Sequence, residues 1–233
     1  MNSYETTRPE IWVWGECMFL KVLAYMVTPV LLLTGAAYYL RYLEPRPEDT
    51  TAARVYAEDP FSVDYCSKQK LDGSGPIADD IPKAYTPNCE IDQWPAPILA
   101  GCTEPLPPGA EDLRGLWQAE EGQIGHMERI EQCGNRVIVV GRRFIHDFRT
   151  TGTLAEGAND INPSNCTRVR AAIQWDDDKT LAFRPWGLVT LVTRRLEDEN
   201  TMIWEYPAAP TSRLKRICTL PEIPARQAGL VDR

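Results

Sequence analysis

Residues 22–40 read VLAYMVTPVLLLTGAAYYL, nineteen positions without a charge, and this run constrains the chain more than any other feature. A helix rises about 1.5 Å per residue, so the run matches a hydrocarbon core of about 30 Å. Lys21 and Arg41 bracket it, and both can reach the headgroups. Trp12 and Trp14 precede it and Tyr38 and Tyr39 end it, where an aromatic belt would sit. Pro29 is tolerated in a membrane helix. We read an uncleaved single-pass anchor over about 22–40, within an N-terminal segment 1–43. A buried core helix would carry a charged face. A cleaved signal peptide competes, because Gly35, Ala36 and Ala37 suit a peptidase, but the run is long for a signal and about twenty residues precede it. Residues 11–20, apolar apart from Glu16, extend the helix, lie along the interface or meet a partner. Arg8 and Lys21 on one side against Arg41, Arg46 and Arg54 on the other leave orientation undecided.

Six of the seven cysteines follow this segment: Cys66, Cys89, Cys102, Cys133, Cys166 and Cys218. Cys17 lies before it. No CxxC pair occurs and only His126 and His146 are available to complete a zinc site, so no metal is expected. Three disulfides in an oxidising compartment explain the even count, which places the C-terminal domain outside the cytoplasm. Buried thiols in a reducing compartment are the alternative. Six cysteines allow fifteen connectivities, and spacing does not choose among them.

Between anchor and domain, residues 44–111 form an acidic tether. Eleven prolines fall in 44–110, among them Pro45, Pro47, Pro95, Pro97, Pro105, Pro107 and Pro108. Proline fixes φ and removes a donor, which argues against long helices and central strands. Phe61, Tyr65, Tyr85, Trp94, Ile98 and Leu99 are out of place in a flexible spacer. The expectation is an extended segment packed on the chain's own domain or on a neighbouring protein. The chain's net charge of -8 argues against nucleic-acid binding.

From Leu113 the pattern becomes β, with strands expected at 113–119, 127–133, 136–141, 143–149, 167–175, 180–186, 188–196, 201–206 and 212–219. Gly134-Asn135 suits a tight hairpin. The loop 150–166 is the longest irregular stretch. Its Glu156, Asn159, Asp160 and Asn162 offer oxygen ligands, but not at EF-hand spacing. Eight or nine short strands over 112–220 suggest a mainly β fold, an antiparallel up-and-down barrel or a sandwich, followed by a tail 221–233.

Gly115-Leu116-Trp117 in the first strand is similar to the G-x-W signature of lipocalin-like (calycin) barrels, and Arg216 on the last strand is placed like that family's late arginine. The resemblance covers about 112–220. It implies an antiparallel barrel in which Arg216 packs over Trp117, with an interior that often holds an apolar small molecule.

Period-2 alternation in VVGRRFIHDF puts Val140, Phe144, His146 and Phe148 on one face, with Arg143, Ile145 and Asp147 on the other. His146 then looks into the interior, either as a core histidine or, given a partner, as an acid–base group. Val140, Phe144, His146, Phe148, Ile173 and Trp204 are the candidate lining of a ligand site. Arg142-Arg143 and Arg194-Arg195 either bind anions or send one arginine to each sheet face, paired with acids such as Glu128, Glu131 or Glu205. No nucleophile elbow, P-loop, dinucleotide glycine pattern or haem motif occurs, and no enzyme activity or cofactor is expected. The expected function is a membrane-anchored interaction module, an accessory or stabilising subunit whose partners are the lipid bilayer and other membrane-protein subunits. Small residues Thr28, Thr34, Gly35, Ala36 and Ala37 suit helix–helix contact. The alternative is a tethered binding protein for a lipid or other apolar ligand; a cavity of several hundred Å3 favours that reading and a filled interior the first.

Overall fold

The computed structural model describes residues 11–39, 62–87, 89–91, 93–207 and 209–221, with helix side chains from residue 21 onward. The tether before Ser62 (with Pro45, Pro47 and Phe61), the residues Arg8, Arg41, Arg46 and Arg54, the side chains of Trp12, Trp14, Glu16 and Cys17, and the tail beyond Pro221 lie outside these. The chain forms two separate units, an N-terminal helical one and the rest.

Helix α1 (Ile11–Tyr38) is 28 residues long, so the apolar residues 11–20 extend it. Its stretch Lys21–Tyr38 is long and apolar enough to cross a membrane. Tyr25, Met26, Leu32 and Leu33 are exposed, as a surface facing lipid requires. Pro29 sits inside the helix, and the Thr34 hydroxyl donates to the Val30 carbonyl at 2.9 Å.

The second unit is mainly β, with ten strands: β1 (Gly115–Glu121), β2 (Met127–Cys133), β3 (Arg136–Gly141), β4 (Ile145–Arg149), β5 (Ala158–Asn162), β6 (Thr167–Trp175), β7 (Leu181–Pro185), β8 (Val192–Asp198), β9 (Thr201–Glu205) and β10 (Ser212–Ile217). All neighbours are antiparallel in the order β4-β3-β2-β1-β10-β9-β8-β7-β6-β5, so first and last strands pair and the sheet curls into a nearly closed up-and-down barrel. Gly134 takes a φ of +52° in the β2–β3 hairpin, as the Gly-Asn pair predicts. The remaining gap lies between β4 and β5. Arg149 N donates across it to Glu156 O at 2.8 Å, and Thr151 bridges to Gln174.

Strand β5 corrects the expectation of a loop through 150–166. Its sequence, ANDIN, is rich in residues that strands avoid, and it holds through five register pairs with β6. The apolar run after Leu188 begins as loop, and β8 starts only at Val192.

The interior is packed with side chains. Trp117, Ile130, Val137, Val139, Phe148, Ile173, Leu181, Phe183, Met202, Trp204 and Leu214 form one core. Phe148 meets Phe183 edge-on at 5.0 Å. A second core lies outside the barrel wall, where Ile91, Ile98 and Leu99 of the proline-rich segment cover Ile138, Val140 and Ile145. The surface that the tether packs on is therefore this chain's own barrel, and we call residues 62–111 the strap. It carries a 3-10 turn at Ala78–Asp80.

A proline-rich strap leaves carbonyls without helix or sheet partners, and two arginines of the barrel wall collect them. Arg136 donates to the carbonyls of Ala78, Ile81 and Pro82 while Asp147 holds its other edge at 2.6 and 2.9 Å. Arg129 donates to Pro95 O and Ala96 O and pairs with Glu131, between the rings of Tyr65 and Trp94. Three disulfides join the strap to the barrel: Cys66–Cys218, Cys89–Cys166 and Cys102–Cys133.

Candidate functional site

The barrel has two unlike ends. At the base, Arg216 lies over the Trp117 ring at 4.2 Å, and the Trp117 indole donates to Leu113 O at 2.8 Å. The Arg216 guanidinium also donates to the Arg114 carbonyl. Gly115 has a φ of +143°, which favours glycine, and a Cβ there would force the Arg216 guanidinium to shift. The geometry implied for Gly115, Trp117 and Arg216 is present. The barrel has ten strands, where lipocalins have eight.

Next to Trp117, whose cross-strand partner is Glu128, the interior holds a buried ion pair. Arg194 donates to both carboxylate oxygens of Glu128, at 2.7 and 2.8 Å, and both residues are at most 5% exposed. Arg194 also faces the rings of Phe183 and Trp204 at 5.0 and 5.9 Å. His126 stacks on Trp204 at 4.3 Å with Nε2 3.5 Å from Glu128. Burial pushes the Glu128 carboxyl up, but the Arg194 guanidinium outweighs it and the group titrates at about 2. A bidentate carboxylate fixes the arginine and fills the space a ligand headgroup would need.

The seam between β4 and β5 is closed by Thr86 of the strap. Ile145 N–H donates to its hydroxyl at 2.9 Å, and that hydroxyl donates to Asp160 at 2.6 Å. His146 Nδ1 lies 3.5 Å from the same carboxylate, and the imidazole stacks on Phe144. The separation is longer than an ordinary hydrogen bond, and the Thr86 hydroxyl holds one oxygen of Asp160, so this carboxylate ties the strap to the seam. The two histidines belong to different clusters.

Among the six candidate lining residues, Phe148, Ile173 and Trp204 lie in the interior core and Phe144 packs partly buried against it. His146 sits beside it at the seam. Val140 does not line the interior. It belongs to the outer core under the strap, because residues 142–144 form a tight turn that breaks strict alternation between β3 and β4. Cavities of about 210 and 340 Å3 lie at the strap, the first beside Tyr65, Gln69 and Arg129, the second beside Lys83, Arg136 and Glu156. Burial lowers the Lys83 ammonium in the larger one, offset in part by Asp147. Of the paired arginines, Arg194 reaches Glu128, Arg143 pairs with Glu90, and Arg142 and Arg195 are exposed. Asn159, Asp160 and Asn162 are strand residues. Among the described residues, the one group with metal-ligand proximity is Asp64 with Cys66 and Cys218, whose sulfurs are joined in a disulfide.

Sequence reasoning missed the Glu128–Arg194 pair as an interior feature. The signal was present, since Glu128 falls two residues from Ile130 on an inward-facing register. No family model, curated protein or solved structure matches the chain.

Proposed function

We propose that this chain is a membrane-anchored interaction module, an accessory or stabilising subunit of a larger membrane-protein complex, with its β head on the extracytoplasmic side. The observation that carries the reading is the filled barrel. Aromatic and aliphatic side chains occupy the interior, and Glu128 and Arg194 satisfy each other there. A head built to carry a ligand leaves space for it, and here apolar side chains and an ion pair lie in the interior. Three disulfides across the strap favour an oxidising compartment. One candidate membrane helix supplies the anchor. Purification from membranes in mild detergent tests the proposal. The chain is expected to elute in an assembly well above its own 26.3 kDa, with defined co-purifying polypeptides. A lone monomer refutes it.

A lipocalin-like carrier of an apolar molecule is the second reading, favoured by the stacked Trp117 and Arg216. It requires a bound small molecule in native mass spectrometry of the full chain.

A further inference from the structure

The loops at the two ends of the barrel differ in chemistry, not just in sequence. At the apical end the strands are joined by residues 122–126, 142–144, 163–166, 186–191 and 206–211. At the base they are joined by 134–135, 150–157, 176–180 and 199–200. The apical loops contain no carboxylate, and apart from His126 their only charged residues are Arg142 and Arg143. The basal loops contain Glu156, Asp176, Asp177, Asp178 and Glu199, against Lys179 alone.

Apart from Ile77 of the strap, the large exposed apolar side chains of the described head residues follow the same division. Leu188 is 75% exposed, Val189 62% and Ile124 79%, with Trp186, Leu191 and Tyr206 also open to solvent. All are apical. Loop 186–191, WGLVTL, is a six-residue uncharged segment; Trp186 N–H donates to Arg170 O at 2.9 Å, Gly187 lies beside Leu154, and Arg170 lies over the Trp186 ring at 5.8 Å. A soluble protein seldom exposes this many large apolar side chains on neighbouring loops without covering them.

We propose that this apical rim docks on the lipid bilayer, with Trp186, Leu188, Val189, Leu191 and Ile124 entering the interface and Arg142 meeting lipid phosphates. Tryptophan and tyrosine favour the boundary between water and hydrocarbon. Arginine at the same pole adds attraction to anionic headgroups. The inference rests on the reading that α1 spans a bilayer, which holds the head near lipid at high effective concentration. Chain length permits the contact. The strap joins the barrel at the base, where Tyr65 N donates to Cys218 O. The twenty-two residues between Tyr39 and Ser62 extend to at most about 75 Å. The nine residues of β6 span about 30 Å. Either pole can therefore face the membrane, and the exposed apolar side chains select the apical one.

The test places a photoreactive amino acid at Leu188 in the full chain, in native membranes, with Asp177 as the basal control. Both positions are exposed, so folding is not at stake. Lipid adducts are expected at Leu188 at about tenfold the level at Asp177, and a charge at the neighbouring position, Val189→Asp, should reduce them severalfold. Adducts to another polypeptide at Leu188, or equal lipid labelling at the two sites, overturn the proposal. Alkaline carbonate extraction is run in parallel. A chain that resists extraction but yields no lipid adduct sinks the rim alone, whereas a chain released by carbonate sinks the anchor.

Discussion

Glu128 and Arg194 meet where neither has water to fall back on, which makes the pair costly to split. Glu128→Gln leaves a guanidinium buried without its counter-charge and is expected to cost about 3–5 kcal/mol in denaturant unfolding. Glu128→Gln combined with Arg194→Met should recover much of that loss, because the second change removes the stranded charge. The pair also gives the head a defined acid response. The native carboxyl titrates at about 2, against 4.5 for the free group. Its stabilisation is therefore complete above about pH 4.5 and is lost as pH falls toward 2, on the order of 3 kcal/mol in all. Unfolding free energy measured from pH 6 to pH 2 should decline in the native chain, and the decline should be shallower in Glu128→Gln; equal slopes would remove Glu128 as its source. Residue placements were legible in part. Phe148, Ile173 and Trp204 face inward as alternation demands, while Val140 does not, since a turn of three residues resets the phase. Glu128 was hidden by its charge, because inward positions were sought among apolar residues.

Among the elements, the strap and β5 depend on each other. Strand β5 has one laddered neighbour, β6, and on its other side Asp160 receives the Thr86 hydroxyl and backbone N–H. Thr86→Val keeps the shape but leaves the Ile145 N–H and one Asp160 oxygen without that partner. The expected loss is about 2–3 kcal/mol, with faster hydrogen exchange in β4 and β5 and little change in β1, β2 and β10. Exchange that rises uniformly would show that the seam is not a separate point of weakness. Nine of the ten strands were visible in the sequence as short runs between turn residues. The tenth, β5, was not, because Asn and Asp at three of its five positions read as loop, and what holds them is tertiary. The opposite error occurred after Leu188, where an apolar run looked like strand. Apolarity there serves an exposed loop, so the periodicity rule failed at the place where the surface departs from ordinary solubility.

At the scale of the whole molecule, the barrel and an anchor candidate follow from pattern alone, whereas the wrapping of the strap does not. Proline removes the regular hydrogen bonding that local rules read, and long-range arginines supply the replacement. Disulfide pairing was equally beyond reach, one choice among fifteen. The choice the fold makes is a nest. Cys102–Cys133 lies inside Cys89–Cys166, which lies inside Cys66–Cys218, with sequence separations of 31, 77 and 152 residues. For a chain emerging amino-end first, nesting imposes a timetable. At about 5–20 residues per second, the sulfur of Cys66 waits roughly 8–30 seconds for its mate, 152 residues downstream. Pulse-labelled chains trapped with an alkylating agent should therefore oxidise from the innermost ring outward, and an arrested chain ending near residue 200 should keep Cys66 alkylatable while Cys102 is already protected. The outermost bond works as a clasp that can close only after the last strand of the barrel has been made.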